Sequence, residues 1–222
     1  MLLGARQFFE KRGAPTPPLP YDYAVEYIET DGVASYIDTG VIAGNDTFRW
    51  NLDFQVVSRP SDTNALAGFV CGASIANLLT NRRFCLAIST SSDVFHFNVP
   101  NSSNTVGPSF NLSRHTASCS WDGLSFDGES VAITSTKPSV IGNSSFCLGR
   151  WGREPYVINT SYSLRSYSNV RIYSCILRDN GAVVFNGAPV VANGMAGLYD
   201  SISGTVKFNA AASGTITAGP RA

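Results

Sequence analysis

Between Thr47 and Val56 polar and apolar residues alternate without a break, so Phe48, Trp50, Leu52, Phe54 and Val56 share one face of an extended segment. That period predicts a half-buried antiparallel strand. Phe84–Ile88 and Val94–Val99 repeat the theme, with Phe95, Phe97 and Val99 on one face. His96, between the two phenylalanines, points the other way, to solvent or an opposing sheet. Ser118–Trp121, then Asp122-Gly123, then Leu124–Phe126 reads as a hairpin, because Asp-Gly supplies the positive φ of a tight turn. Asp127-Gly128 and Asn180-Gly181 mark further turns, the second between Val170–Leu177 and Ala182–Phe185. Strand-turn units at short intervals, with no convincing helix after residue 12, predict an all-β, two-sheet sandwich or jelly roll over residues 21–222.

The first twenty residues read differently. In MLLGARQFFEKR, Leu2, Ala5 and Phe9, flanked by Leu3 and Phe8, form an apolar stripe at helical spacing. The segment lacks the apolar region and small-residue cleavage site of a secretory signal, and no run is long enough to span a membrane. Three turns of helix are marginal alone in water, so such a segment needs something to dock against. Gly13 to Pro20 is too proline-rich for helix and predicts a stiff spacer reaching roughly 20 Å. Residues 1–20 are thus either an anchor helix on a tether, with Leu2, Leu3, Ala5, Phe8 and Phe9 as the attachment face, or a frayed terminus packed on its own domain.

Charge narrows the partners. Sixteen basic and sixteen acidic residues give zero net charge, and only 14% of the chain is charged. A nucleic-acid binder needs clustered cations to displace phosphate counterions, so that class is excluded, and the surface must be largely neutral Ser, Thr and Asn. The five cysteines (Cys71, Cys85, Cys119, Cys147, Cys175) show no paired spacing of a zinc site or disulfide framework, and four lie in apolar runs. They read as small buried hydrophobes in a reducing compartment.

The stretch Tyr27-Ile28-Glu29-Thr30-Asp31-Gly32-Val33-Ala34-Ser35-Tyr36-Ile37-Asp38-Thr39-Gly40 resembles the "EYIESTGTQYIDTG" opening of concanavalin A-like, laminin-G-type jelly-roll domains, which abound in phages and prophages of gut bacteria. Val170-Arg171-Ile172-Tyr173 through Asp179-Asn180-Gly181, then Gly197-Leu198-Tyr199-Asp200, Gly204 and Ala218-Gly219-Pro220, is similar to the closing signature of the same domains. Where many relatives carry an Arg-Asp-x-x-Pro step, this chain has Phe185-Asn186-Gly187-Ala188-Pro189. The resemblance implies a jelly roll displayed on a phage virion, as a head fibre, decoration protein or tail-attached module. On that reading residues 1–20 bind capsid or tail proteins, the domain adheres to host-surface glycans, and homo-oligomers, by analogy trimers, form without membrane insertion. A bacterial carbohydrate-binding, lectin-like module is the alternative.

Catalysis finds little support. Glucanases of this fold set carboxylates two residues apart on one strand, with about 5–5.5 Å between nucleophile and acid in retaining chemistry. Glu29 and Asp31 have that spacing but lack a third acid, and Asp127-Gly128-Glu129 lies on a turn. His96 and His115 have no nearby acid in sequence to orient them, and no Gly-x-Ser-x-Gly elbow exists. A glycoside hydrolase is therefore the weakest reading. No cofactor is implied. Calcium, which laminin-G-like folds bind through loop oxygens, has Asp122, Asp127, Asp179 and Asn180 as turn residues to draw on, each with a sufficient turn role of its own.

The segment most suited to binding is Gly149-Arg150-Trp151-Gly152-Arg153-Glu154-Pro155-Tyr156. Trp151 and Tyr156 supply flat faces for sugar rings, and Arg150, Arg153 and Glu154 supply hydroxyl partners. The same residues suit a protein interface, or Trp151 caps the core and the arginines are solvated. Arg82-Arg83 reads as a solvated corner.

Overall fold

A computed structural model of the chain describes residues 18–43, 47–59, 67–74, 83–89, 93–98, 105–121, 123–131, 145–150 and 167–222. Residues 1–17, with the stripe Leu2, Leu3, Ala5, Phe8 and Phe9, lie outside them, as do Trp151, Arg153, Glu154, Tyr156, Arg82 and Asp122.

All regular structure among the described residues is strand. In chain order the strands are β1 (Tyr23–Ala24), β2 (Ile28–Thr30), β3 (Ile37–Ile42), β4 (Arg49–Val56), β5 (Ala67–Ser74), β6 (Arg83–Ser89), β7 (Val94–Asn98), β8 (Thr105–Ser109) and β9 (Arg114–Cys119). There follow β10 (Leu124–Phe126), β11 (Glu129–Val131), β12 (Ser145–Leu148), β13 (Val170–Asp179), β14 (Ala182–Ala192), β15 (Met195–Asp200), β16 (Thr205–Lys207) and β17 (Ile216–Ala218). They form two antiparallel sheets. The larger runs β11-β10-β9-β4-β13-β14-β15-β16, with β1 beside β14, β2 beside β13 and β17 beside β2. The smaller runs β3-β12-β5-β6-β7-β8.

The alternation in β4 sets the core. Phe48 and its face-mates Trp50, Leu52, Phe54 and Val56 are all buried, while Arg49 and Asn51 are exposed and Asp53 and Gln55 partly so. Their rings meet the other sheet: Trp50 stacks parallel to Phe97 at 6.3 Å, Phe54 meets Phe95 edge-on at 5.9 Å, and Phe48 meets Phe84 at 5.7 Å. These contacts make the sheets a sandwich, since each sheet buries its apolar face against the other.

Three local expectations need revision. First, β6 does not alternate: Cys85 and Ala87 are as buried as Phe84, Leu86 and Ile88, so both faces of this inner strand are covered. Second, His96 does face away from Phe95 and Phe97, yet it is only 9% exposed rather than solvated, and that desolvation lowers its pKa. Third, the hairpin between β9 and β10 does not have Gly123 at its tip: Gly123 lies opposite Ser120, whose N–H donates to Gly123 O at 2.8 Å. The other turns behave as their residues require. Asp127-Gly128 and Asn180-Gly181 take φ of 49° and 86°, and of 49° and 79°, which the primed hairpin turns need.

The Phe185–Pro189 step lies inside a continuous β14. A Cβ on Gly187 would fall 2.5 Å from the Phe185 ring, so the glycine makes room for that ring in the core. Asn186 gives its N–H to Asp200 Oδ1 at 2.9 Å and its Nδ2 to Ser201 Oγ at 3.0 Å.

Candidate functional site

The carboxylates that came nearest to a glucanase pattern are committed elsewhere. Glu29, on β2, accepts Arg171 Nε at 2.8 Å from β13. Asp31 closes the turn after β2: its Oδ1 accepts the N–H groups of Val33, Ala34 and Ser35 and the Ser35 hydroxyl, and its Oδ2 accepts Thr215 N–H at 2.7 Å. Burial pushes the Asp31 pKa up, but the Ala34, Ser35, Val33 and Thr215 hydrogen bonds more than reverse it, leaving a carboxylate well below the usual range. Asp200, in the closing motif, does the same work for the turn that follows it, accepting from Asn186, Ile202 and Ser203. The motif acids are turn caps.

His115 gains the acid that its sequence surroundings do not show. The β9–β10–β11 meander carries Asp127 back beside it, with Nδ1 2.7 Å from Asp127 Oδ2 and Nε2 3.0 Å from Asn111 Oδ1. Asp127 Oδ1 also accepts Thr116 N–H, so the pKa rise from burial is outweighed by the bonds from His115 and Thr116. The ring is 5% exposed and boxed by Phe126, Phe95 and Phe54 at 4.8, 5.3 and 5.9 Å. This constellation ties the 111–113 turn to the β10–β11 hairpin. Asp179 and Asn180 tie their turn to Thr47, whose single hydroxyl proton is shared between their Oδ1 atoms at 2.8 and 3.0 Å and whose oxygen accepts Asn180 N–H at 2.9 Å. The described cysteines are all free thiols in buried positions, and burial raises the pKa of Cys71, Cys119 and Cys175, keeping them protonated and unreactive.

Of the predicted binding segment, Gly149 and Arg150 are described. Gly149 takes φ of +80° and donates to Val70 O at 2.7 Å, and Ser168 N–H donates back to Gly149 O at 3.1 Å. The buried Thr30 hydroxyl locks this junction from below, donating to Ser168 O at 2.6 Å and accepting Val170 N–H at 3.1 Å. Arg150 is 9% exposed rather than solvated. Its guanidinium lies 4.9 Å from the Tyr36 ring centre and 5.3 Å from that of Tyr167. Burial raises the Tyr36 pKa and the Arg150 charge opposes the rise. Residues on either side of the 151–166 segment are therefore fastened to one aromatic pair.

A second polar-aromatic group lies on the outward face of the larger sheet. Register sets Glu29 opposite Arg171, Arg171 opposite Gln55, and Gln55 opposite Arg114, in one row across β2, β13, β4 and β9. A bulge between Ile172 and Ser174 adds Tyr173. Arg114 binds Asp53 bidentately, Nε to Oδ1 at 2.8 Å and Nη2 to Oδ2 at 2.6 Å, and lies 3.7 Å over the Tyr173 ring. Tyr173 meets Tyr27 at 5.4 Å, and Arg171 lies 4.6 Å from the Tyr27 ring centre. Gln55 receives the Tyr173 hydroxyl at 3.1 Å. Reading the sequence missed this group. The polar half of the β4 alternation was visible, but only the register brings residues 27, 55, 114 and 171 together.

No family model matches the chain, and no curated protein matches it. Among solved structures it is similar to a "putative carbohydrate binding protein" from Bacteroides ovatus, with a TM-score of 0.52 and 11% identity, the match covering 88% of this chain. The chain spans 60% of the length of that structure. At this identity the likeness speaks to the fold, an all-β two-sheet sandwich.

Proposed function

We propose that this chain is a carbohydrate-binding β-sandwich module. The observation that carries the reading is the likeness of its fold to the Bacteroides ovatus protein described in carbohydrate-binding terms. Composition agrees with it: a charge-poor surface rich in Ser, Thr and Asn suits recognition by hydrogen bonds and aromatic stacking. The commitment of Glu29 to Arg171, and of Asp31 to four turn donors and Thr215 N–H, favours binding over hydrolysis.

Attachment to a phage particle rests on the motif resemblance, whose acids Asp31 and Asp200 the fold already employs as turn caps. The glycan reading has the fold likeness in addition. The test is a glycan array probed with the full chain. Saturable binding to a defined set of glycans supports the reading, and uniform silence across bacterial-surface and plant glycans overturns it. A Trp151→Ala variant on the same array asks whether the 149–156 segment makes the contact.

A further inference from the structure

Resting on that reading, we propose that the outward face of β2, β13, β4 and β9 is the glycan-binding platform, and that its ligand is a neutral rather than an anionic oligosaccharide. Tyr27, Tyr173, Arg114, Arg171, Asp53 and Glu29 form it.

Three features make this face a site rather than a solvated sheet. Its planar groups are interleaved: Arg114, Tyr173, Tyr27 and Arg171 follow one another at 3.7, 5.4 and 4.6 Å. Both rings are half-buried, and a Cβ on Gly219 would come within 2.8 Å of the Tyr27 ring, so that ring is seated against the β17 end of the sheet. Side chains already fixed in place lose little entropy when a ligand arrives, which is the main cost of gripping a weakly apolar sugar. Finally, the salt bridge of Arg114 uses Nε and Nη2, so further N–H donors of that guanidinium remain for hydroxyls on a side chain that is 56% exposed.

Charge balance selects the ligand. Two guanidinium groups face two carboxylates, Arg114 with Asp53 and Arg171 with Glu29, in pairs at 2.6 and 2.8 Å, and Glu26 adds a further negative charge within reach of Arg114. An anionic sugar would have to pull an arginine from its partner and meet the carboxylate left behind. A neutral polyol meets adjacent donors and acceptors, and vicinal hydroxyls can bridge such a pair. Four strands at ~4.8 Å spacing give a row about 14 Å across, enough for a short oligosaccharide rather than a single sugar.

The experiment uses the full chain with a panel of neutral and uronic-acid or sulfated oligosaccharides, read by array and then by titration calorimetry on the best binder. The proposal expects a neutral oligosaccharide to bind, and Arg114→Gln and Tyr173→Ala each to weaken it at least tenfold, with Trp151→Ala changing it less than twofold. Arg114 is exposed and outside the core, so Arg114→Gln keeps the test valid where Tyr173→Ala lowers the melting temperature. Neutral binding that survives Arg114→Gln but is lost in Trp151→Ala overturns the platform and leaves the carbohydrate-binding function standing. Preference for acidic glycans overturns the ligand class. Silence of the wild-type chain on every glycan overturns the function itself.

Discussion

Asp31 has five hydrogen-bond donors on its two oxygens, one of them the backbone of Thr215 far along the chain. Asp31→Ala strands those donors and should destabilise the fold by about 2–4 kcal/mol, measured as a shift in urea midpoint. The sign with pH follows from its lowered pKa. The folded state binds its proton less readily than the unfolded state, whose carboxylate titrates near 3.8, so the stabilisation is complete above that pH and is lost as pH falls through the folded value. Asp127 and Asp200 are lowered as well, and add to the same acid sensitivity. The urea midpoint should therefore fall on acidification below about pH 4, and the gap between wild type and Asp31→Ala should close with it. A gap that stays constant to pH 2 contradicts the assignment. Asp31-Gly32 is a local turn pair visible in the sequence; Thr215 is not, because nothing local announces a partner 184 residues away, just before β17.

The β4 period was readable because its apolar face is large and its other face polar, so each side chain reports its direction. In β6 every residue from Phe84 to Ile88 is apolar, and a period of two leaves no mark when both faces are buried. The Arg171–Gln55–Arg114 row was out of reach for a further reason: it depends on pairing between strands roughly sixty to one hundred and twenty residues apart. The junction at Gly149 and Ser168 shows how an element end is fixed. Thr30→Val keeps the shape of the side chain and removes the hydroxyl that serves Ser168 O and Val170 N–H, both buried. A loss of about 1–3 kcal/mol is expected in chemical denaturation. Gly149→Ala should cost at least as much, since φ of +80° disfavours any Cβ and this one would lie 2.9 Å from Thr30 Cγ2. Wild-type stability in either variant would mean that the junction is not a constraint.

The sandwich packs Phe48, Trp50 and Phe54 of one sheet against Phe84, Phe95 and Phe97 of the other, and sets paired charges among tyrosines on its outward face. The stretches that resemble jelly-roll motifs hold their turns through Asp31 and Asp200, and Gly219 lies against the Tyr27 ring. The proposed recognition falls to the broad face, where Arg114 and Arg171 are each tied to an acid. Amide chemical shifts of the isotopically labelled full chain, followed while a neutral oligosaccharide is titrated in, report where it binds. Saturable shifts should gather on Glu29, Asp53, Gln55, Arg114, Arg171 and Tyr173, and spare Asp31, Asp127 and Asp200. Shifts that saturate elsewhere, or no saturable shift with any neutral oligosaccharide, would contradict binding at this face.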